Sequence, residues 1–191
     1  MCKTPGLILT IPKAFKLAMY SFFKLVRLPN LLIIVFTQFM VHWGIIYPIL
    51  KSQGLELQLS NLHFILLVLS TVLIAAAGYA INDYFDVKVD RVNKPDRLVI
   101  DKGIKRRVAM GAHTVMNVLA IVIAFYVSYS IHLGNLALIH FICAAGLWFY
   151  STTFKRQLLI GNIVIALFTA LVPFVVALYD MVPCYKEYAH L

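Results

Sequence analysis

The sequence predicts an all-α integral membrane protein built as a bundle of five transmembrane helices. Of its 191 residues, 62% are hydrophobic and only 13% are charged. The mean hydropathy is +0.87, a value that soluble domains of this length rarely reach. A membrane-spanning helix needs about 20 mostly apolar residues. Five stretches qualify, at residues 30–50, 62–82, 108–131, 134–150 and 159–179.

The segment before the first span has the composition of a helix that lies on the membrane surface. Residues 11–30 read IPKAFKLAMYSFFKLVRLPN, in which lysines recur among aromatic and aliphatic residues. The stretch has no continuous apolar core that ends in small residues, so it does not resemble a removable signal peptide. We therefore expect a basic amphipathic helix over residues 10–28 at the membrane interface.

The formal net charge of +9 follows the expected membrane topology and does not indicate a nucleic-acid partner. Lys and Arg number 5 before the first span, 1, 8, 0 and 2 in the successive loops, and 1 in the tail. Because basic residues collect in cytoplasmic loops, the N-terminus and residues 83–107 and 151–158 should be cytoplasmic. In a bacterium the membrane would be the inner, or plasma, membrane. Short connections between the spans predict antiparallel neighbours in one bundle.

The acidic residues are concentrated directly after the second predicted span, with five of eight between positions 83 and 101. If that helix continues, at about 100° per residue, Asn82, Asp83, Asp86 and Asp90 share one face. Carboxylates that converge near a bilayer repel one another, and a cation normally compensates them. Hard oxygen ligands favour Mg²⁺, which completes its coordination shell with water and phosphate oxygens. The pattern predicts a Mg²⁺ site at Asp83, Asp86 and Asp90 for a phosphate-bearing ligand.

Basic residues accompany the acids, as a phosphate site requires. Lys94 and Arg97 follow the acidic face, and Lys155 with Arg156 lies in the other cytoplasmic loop. Such groups bind a diphosphate directly. The alternative is a solvated helix end with surface ion pairs, but acids repeated at three and four residues on one helix face argue against it. An EF-hand and a zinc site do not fit, since neither the loop glycine nor any histidine ligand spacing is present.

Three segments of the sequence resemble segments of one protein family, and they occur in the same order as in that family. NDYFDVKVDRVNKPDR at residues 82–97 closely resembles the first aspartate-rich motif and following loop of the UbiA superfamily of intramembrane prenyltransferases. RLPNLLIIVFTQ at 27–38 and YSTTFKRQLLIGN at 150–162 resemble two further family segments. The resemblance therefore extends over essentially the whole chain. Within the family, the chain most resembles members that act as geranylgeranylglycerol-phosphate geranylgeranyltransferases.

The resemblance implies an enzyme that transfers an isoprenyl group, an alkyl group other than methyl, with Mg²⁺ as cofactor. The partners implied are a prenyl diphosphate, a lipid-soluble acceptor and membrane lipids. A prenyl glycerol phosphate is the favoured acceptor, and an aromatic quinone precursor is the other. Tyr79, Tyr84 and Phe149 are aromatic residues expected near an allylic cation. By position, the implied catalytic residues are Asp83, Asp86 and Tyr150, and those at the diphosphate are Asn82, Lys94, Arg97, Lys155, Arg156, Asn30 and Asn162.

The chain departs from the family pattern in its C-terminal part. Family members usually have nine transmembrane helices and a second aspartate motif after the sixth, whereas the only acids after Asp101 are Asp180 and Glu187. We therefore expect residues 1–191 to be a single UbiA-type domain that is incomplete at its C-terminus. The alternative function is a non-catalytic lipid-binding or partner-dependent remnant. A transporter or channel fits less well, because its acids would lie near the membrane midplane on broken helices.

Overall fold

The protein is a bundle of long helices, described here from a computed structural model that covers residues 13–93, 95 and 99–188. Within these ranges no β-sheet is present. A π-helical turn over Met40–Ile46 joins the second and third helices. The helices are α1 (Lys13–Leu25), α2 (Leu28–Phe39), α3 (Tyr47–Ser52), α4 (Asn61–Asn93), α5 (Arg106–Ser130), α6 (Ala137–Thr152) and α7 (Leu158–Tyr188).

The five predicted spans are confirmed as helices long and apolar enough to cross a membrane. They cover Leu28–Ser52, Asn61–Asn93, Arg106–Ser130, Gly134–Thr152 and Leu158–Pro183. The first span includes α2, the π-helical turn and α3, and it is continuous although Pro48 lies within it. The chain is therefore a multi-pass integral membrane protein.

The second span extends well beyond the predicted apolar stretch, and α4 continues to Asn93. Residues 83–93 contain neither glycine nor proline, so nothing in their sequence interrupts the helix. Pro95 lies two residues beyond the end of α4, and proline commonly follows a helix because it cannot continue one. The extension carries Asp83, Asp86 and Asp90 on one continuous helix, as their spacing predicts.

Small residues allow α4 and α5 to approach each other closely, and this pair forms the most extensive helix contact in the bundle. Ala77 and Ala80 on α4, and Ala120 and Ala124 on α5, are completely buried. Without a hydrophobic driving force between helices in lipid, close packing of small residues and interhelical hydrogen bonds stabilise such contacts. Ser70 on α4 adds one such bond, since its hydroxyl donates to the Ala120 carbonyl at 2.8 Å.

The predicted amphipathic segment contains α1, which ends before a sharp change of direction. Leu25 and Val26 are buried in the core, whereas Leu17 and Tyr20 are exposed. Arg27 then adopts left-handed backbone (φ 54°, ψ 55°), and α2 begins at the next residue. Left-handed backbone costs a residue other than glycine of order 1–3 kcal/mol, so the buried neighbours must hold this turn. The position of α1 at the membrane interface stays a prediction.

A buried polar cluster joins three segments at the end of the bundle opposite to Asp83, Asp86 and Asp90 of α4. His42 in the π-helical turn and Asp180 on α7 are completely buried, with 2.7 Å between Nδ1 and Oδ2. The other Asp180 oxygen accepts a hydrogen bond from the Leu59 backbone N–H at 3.2 Å. The His42 ring stacks on Phe64, with 3.8 Å between the ring centroids. This cluster fixes α7 against the first span and the start of α4.

Candidate functional site

The polar end of α4 presents two carboxylates that pair with cations from other parts of the chain. Asp83 pairs with Arg27, whose Nη2 lies 3.0 Å from Oδ1. Arg27 also stacks over the Tyr79 ring, with 5.0 Å from the guanidinium carbon to the ring centroid. The Asp83 side chain is 22% exposed and that of Arg27 is 44% exposed. The turn between α1 and α2 thus brings a cation to the first aspartate.

Asp86, one turn further along α4, pairs with a cation from the connection between α6 and α7. Lys155 lies in a 3₁₀ turn over Phe154–Arg156. Its ammonium donates to an Asp86 carboxylate oxygen and to the Asn82 side-chain oxygen, the latter at 2.9 Å. The Asn82 amide in turn donates to Asp86 at 3.4 Å. Asn82, Asp86 and Lys155 therefore form one connected polar group.

A glycine allows the 3₁₀ turn that carries Lys155 to pack on the start of α7. A Cβ added at Gly161 would lie only 2.7 Å from the Phe154 carbonyl oxygen. The backbone of the turn approaches α7 too closely for any larger residue. The sequence signal for this constraint is the glycine in QLLIGN, directly before Asn162.

A cavity of about 640 Å³ opens at these charged groups and extends between the spans. Arg27, Asn30, Asn82 and Lys155 form its polar end, and its other walls are largely aliphatic and aromatic. It extends along α4 from Asn82 to Thr71, which corresponds to about 16 Å at 1.5 Å per residue. The remaining lining residues are Ile33, Ile34, Ile74, Ala75, Gly78, Tyr79, Ile139, His140, Cys143, Leu147, Tyr150, Ile165, Phe168, Thr169, Leu171, Val172 and Val175.

The cavity contains some of the residues that the sequence predicts for the site and not others. Asn30, Asn82, Tyr150 and Lys155 line it, and Asp83 and Asp86 adjoin it through their ion pairs with Arg27 and Lys155. Asn30 also donates to the Tyr79 hydroxyl at 3.3 Å. Among the described residues, five predicted ones do not line the cavity: Asp83 and Asp86, which adjoin it, and Asp90, Arg156 and Asn162. Lys94 and Arg97 lie outside the described residues.

Arg27 is the site residue that sequence reasoning missed. It lines the cavity and pairs with Asp83. In the sequence it counts only as one of the basic residues before the first span that predict the membrane topology. The available signal was its place in the RLPN segment, three residues before Asn30. Of the expected aromatic residues, Tyr79 and Tyr150 line the cavity. Tyr84 instead packs under Arg106, with 4.7 Å between the guanidinium carbon and the ring centroid.

The expected convergence of three carboxylates is not found in the described part of the chain. No group of three or more His, Cys, Asp or Glu side chains there is placed to hold a metal. Arg27 and Lys155 neutralise Asp83 and Asp86 separately, so the acids need not share one ion. The donor set nevertheless fits Mg²⁺, which binds one or two carboxylates and completes its shell with phosphate and water. Metal ligation by Asp83, Asp86 and Asp90 stays a prediction.

A known protein family matches the greater part of the chain. Residues 53–182 match the UbiA prenyltransferase family. The chain belongs to the UbiA prenyltransferase family. The expected family is thereby confirmed, and the match covers the Asp83 and Asp86 segment, Tyr150 and Lys155.

Relatives of this UbiA-family chain include two archaeal proteins named digeranylgeranylglyceryl phosphate synthase. That of Sulfurisphaera tokodaii is 31% identical over 81% of this chain and 50% of its own length. That of Pyrococcus abyssi is 35% identical over 68% of this chain and 44% of its own length. The chain thus spans about half the length of the curated relatives it matches.

A solved structure from work on digeranylgeranylglyceryl phosphate synthase in membranes has the same fold. Its TM-score is 0.68 at 24% sequence identity, and the match covers 85% of this chain and 53% of that chain. The predicted all-helical UbiA-type architecture is thereby confirmed.

Proposed function

We propose that this chain forms the prenyl diphosphate site of an intramembrane prenyltransferase, which transfers an isoprenyl group to a lipid-soluble acceptor. The favoured acceptor is a prenyl glycerol phosphate, in keeping with the names of the archaeal relatives. An aromatic quinone precursor is the second candidate. We propose Mg²⁺ as the cofactor, held by Asp83, Asp86 and Asp90 together with the diphosphate.

The observation that carries this proposal is the division of one cavity into a charged end and an apolar interior. Arg27 and Lys155 are cations at the end where the α4 carboxylates lie. The rest of the cavity has aliphatic and aromatic walls, which suit an isoprenyl chain. A prenyl diphosphate has the same division, with a highly charged head on an apolar tail.

The residues of the chain have distinct roles in the proposed reaction. The reaction breaks the allylic carbon–oxygen bond of the prenyl diphosphate. A new bond forms between that carbon and the acceptor, which loses a proton. Lys155 and Arg27 bind oxygens of the departing diphosphate, and Asn82 orients Lys155. Tyr79 and Tyr150 stabilise the developing positive charge over their ring faces. Asp83, Asp86 and Asp90 would hold Mg²⁺, which would supply neutralisation of negative charge on the leaving group.

The membrane orientation belongs to the same proposal. We place the N-terminus and the charged end of the cavity in the cytoplasm because the basic residues concentrate there. The diphosphate would then bind from the aqueous cytoplasm while its tail enters the bundle. The amphipathic α1 would lie on the cytoplasmic membrane surface.

A transfer assay with two acceptors tests the proposal. Membranes that contain the complete protein are supplied with labelled geranylgeranyl diphosphate, Mg²⁺ and either geranylgeranylglyceryl phosphate or 4-hydroxybenzoate. We expect labelled product with the glycerol phosphate, and we expect Asp83→Ala and Asp86→Ala to abolish it without reducing the amount of protein in the membrane. Full transfer by both variants would contradict the metal assignment. Tight diphosphate binding without transfer to any acceptor would support the non-catalytic alternative instead.

A further inference from the structure

Two ion pairs lie at the charged end of the cavity. Arg27 pairs with Asp83 and Lys155 pairs with Asp86. These carboxylates are the proposed ligands of Mg²⁺, and these cations are the proposed ligands of the diphosphate. The groups that would bind the two halves of a magnesium diphosphate are therefore bound to each other.

Arg27 is positioned to exchange partners without leaving the site. Its guanidinium carbon lies 5.0 Å from the centroid of the Tyr79 ring, and the Tyr79 hydroxyl accepts a hydrogen bond from the Asn30 side-chain amide. The face of an aromatic ring attracts a guanidinium independently of any carboxylate. Leu25 and Val26, both buried, anchor the backbone on the N-terminal side of Arg27. Loss of the Asp83 contact would therefore leave Arg27 at the cavity end.

We infer that Arg27 is a counterion that couples metal binding to diphosphate binding, an inference that rests on the proposed function. While Arg27 pairs with Asp83, its charge offsets that of the carboxylate and opposes the entry of a divalent cation. When metal and diphosphate arrive together, Asp83 turns to the metal and Arg27 turns to the phosphate oxygens. Lys155 makes the same exchange at Asp86. Each ligand then binds weakly alone and strongly with the other, which is reciprocal coupling between two sites.

The coupling follows from the charges that face each other. A metal ion that binds without diphosphate must displace Arg27 from Asp83 and is then repelled by the nearby guanidinium. A diphosphate that binds to Arg27 and Lys155 without metal is repelled by Asp83 and Asp86, which lie beside these two cations. Together the two ligands would pair with both carboxylates, Asp83 and Asp86, and with both cations, Arg27 and Lys155. Charge-assisted hydrogen bonds of this kind are the stronger class in proteins.

The test compares purified wild-type chain with Arg27→Gln and Arg27→Lys in detergent micelles. The first probe is Mn²⁺ without diphosphate, titrated by the electron paramagnetic resonance signal of the free ion. The second is geranylgeranyl diphosphate at saturating Mg²⁺, measured by equilibrium dialysis. For Arg27→Gln we expect Mn²⁺ affinity to rise severalfold and prenyl diphosphate affinity to fall about tenfold. Arg27→Lys should restore both values towards those of the wild type.

Arg91→Gln is the matched control, because Arg91 pairs with Asp101 at 2.9 Å and does not line the cavity. It should change neither affinity. Unchanged or weaker Mn²⁺ binding by Arg27→Gln would overturn the inference, because a merely structural role predicts no gain in metal affinity. If the wild type itself fails to bind prenyl diphosphate with Mg²⁺, the proposed function fails and the exchange fails with it. If the wild type binds but Arg27→Gln behaves as Arg91→Gln does, only the exchange fails.

Discussion

Among the described residues, Lys155 connects the two segments that carry most of the predicted site. It reaches from the turn between α6 and α7 to Asn82 and Asp86, which precede it by 73 and 69 residues. Its side chain is 31% exposed, so its charge is only partly screened by solvent. A residue at this position both offsets an aspartate and offers a cation to a phosphate. Its replacement should therefore affect ligand binding more than folding.

We predict that Lys155→Met weakens the binding of geranylgeranyl diphosphate about tenfold, because one charge-assisted contact is lost. Methionine keeps most of the apolar stem and removes the ammonium. Equilibrium dialysis at saturating Mg²⁺ measures the effect. Lys102→Met is the control, since the Lys102 ammonium donates to the Pro95 carbonyl at 2.8 Å and does not line the cavity. Equal affinities for the two variants would remove Lys155 from the site.

Gly146 on α6 leaves space for the Phe168 ring, which lines the cavity. A Cβ at this position would overlap the end of that ring, so the ring would have to move. We predict that Gly146→Ala lowers the free energy of unfolding by about 1–3 kcal/mol, as overpacking does. Gly111→Ala on α5 is the control, because nothing lies within 4 Å of its added Cβ. Unfolding in mixed detergent–SDS micelles measures both, and an unaffected Gly146→Ala would contradict this packing.

At the scale of the elements, the sequence determines the helices well because each span is a long apolar run. The α4 extension is also foreseeable, since the 3- and 4-residue spacing of Asp83, Asp86 and Asp90 is helical. The π-helical turn at Met40–Ile46 leaves no periodic signal in such an apolar stretch. The pairing of Arg27 with Asp83 spans 56 residues. Such contacts depend on how helices pack, which local patterns do not encode.

The buried cluster of His42, Asp180 and Leu59 is a polar contact that ties α7 to other parts of the bundle. We predict that Asp180→Ala lowers the free energy of unfolding by about 3–5 kcal/mol, because it leaves His42 and the Leu59 N–H unpaired in the interior. Unfolding in mixed micelles is again the measurement. Asp101→Ala should cost less than about 1 kcal/mol, since its ion pair with Arg91 is exposed. Similar losses for the two variants would mean that the cluster does not stabilise the bundle.

At the scale of the whole molecule, the charge asymmetry predicts which end of the bundle faces the cytoplasm. The His42 cluster and the aspartates lie at opposite ends of α4, roughly 28 Å apart by helix rise from Phe64 to Asp83. The two ends must therefore face opposite sides of the membrane. The positive-inside rule predicts that the aspartate end faces the cytoplasm, where soluble diphosphates would reach it.

We predict that a cysteine at Lys102 is labelled by a membrane-impermeant thiol reagent from the cytoplasmic side, and that a cysteine at Gln53 is labelled only from the other side. Both native side chains are exposed, so access should depend on topology alone. The three native cysteines, Cys2, Cys143 and Cys184, are first replaced by serine. The reverse labelling pattern would overturn the orientation and move the proposed site out of the cytoplasm.

The central claim is that the charged end of the cavity binds a prenyl diphosphate through Mg²⁺ and the α4 carboxylates. The most direct measurement is equilibrium binding of geranylgeranyl diphosphate to the purified chain, with Mg²⁺ and with EDTA, for the wild type and Asp86→Asn. We predict that the wild type binds at least ten times more tightly with Mg²⁺, and that Asp86→Asn loses this difference. Binding that is equally strong with EDTA, or unaffected by Asp86→Asn, would contradict the account.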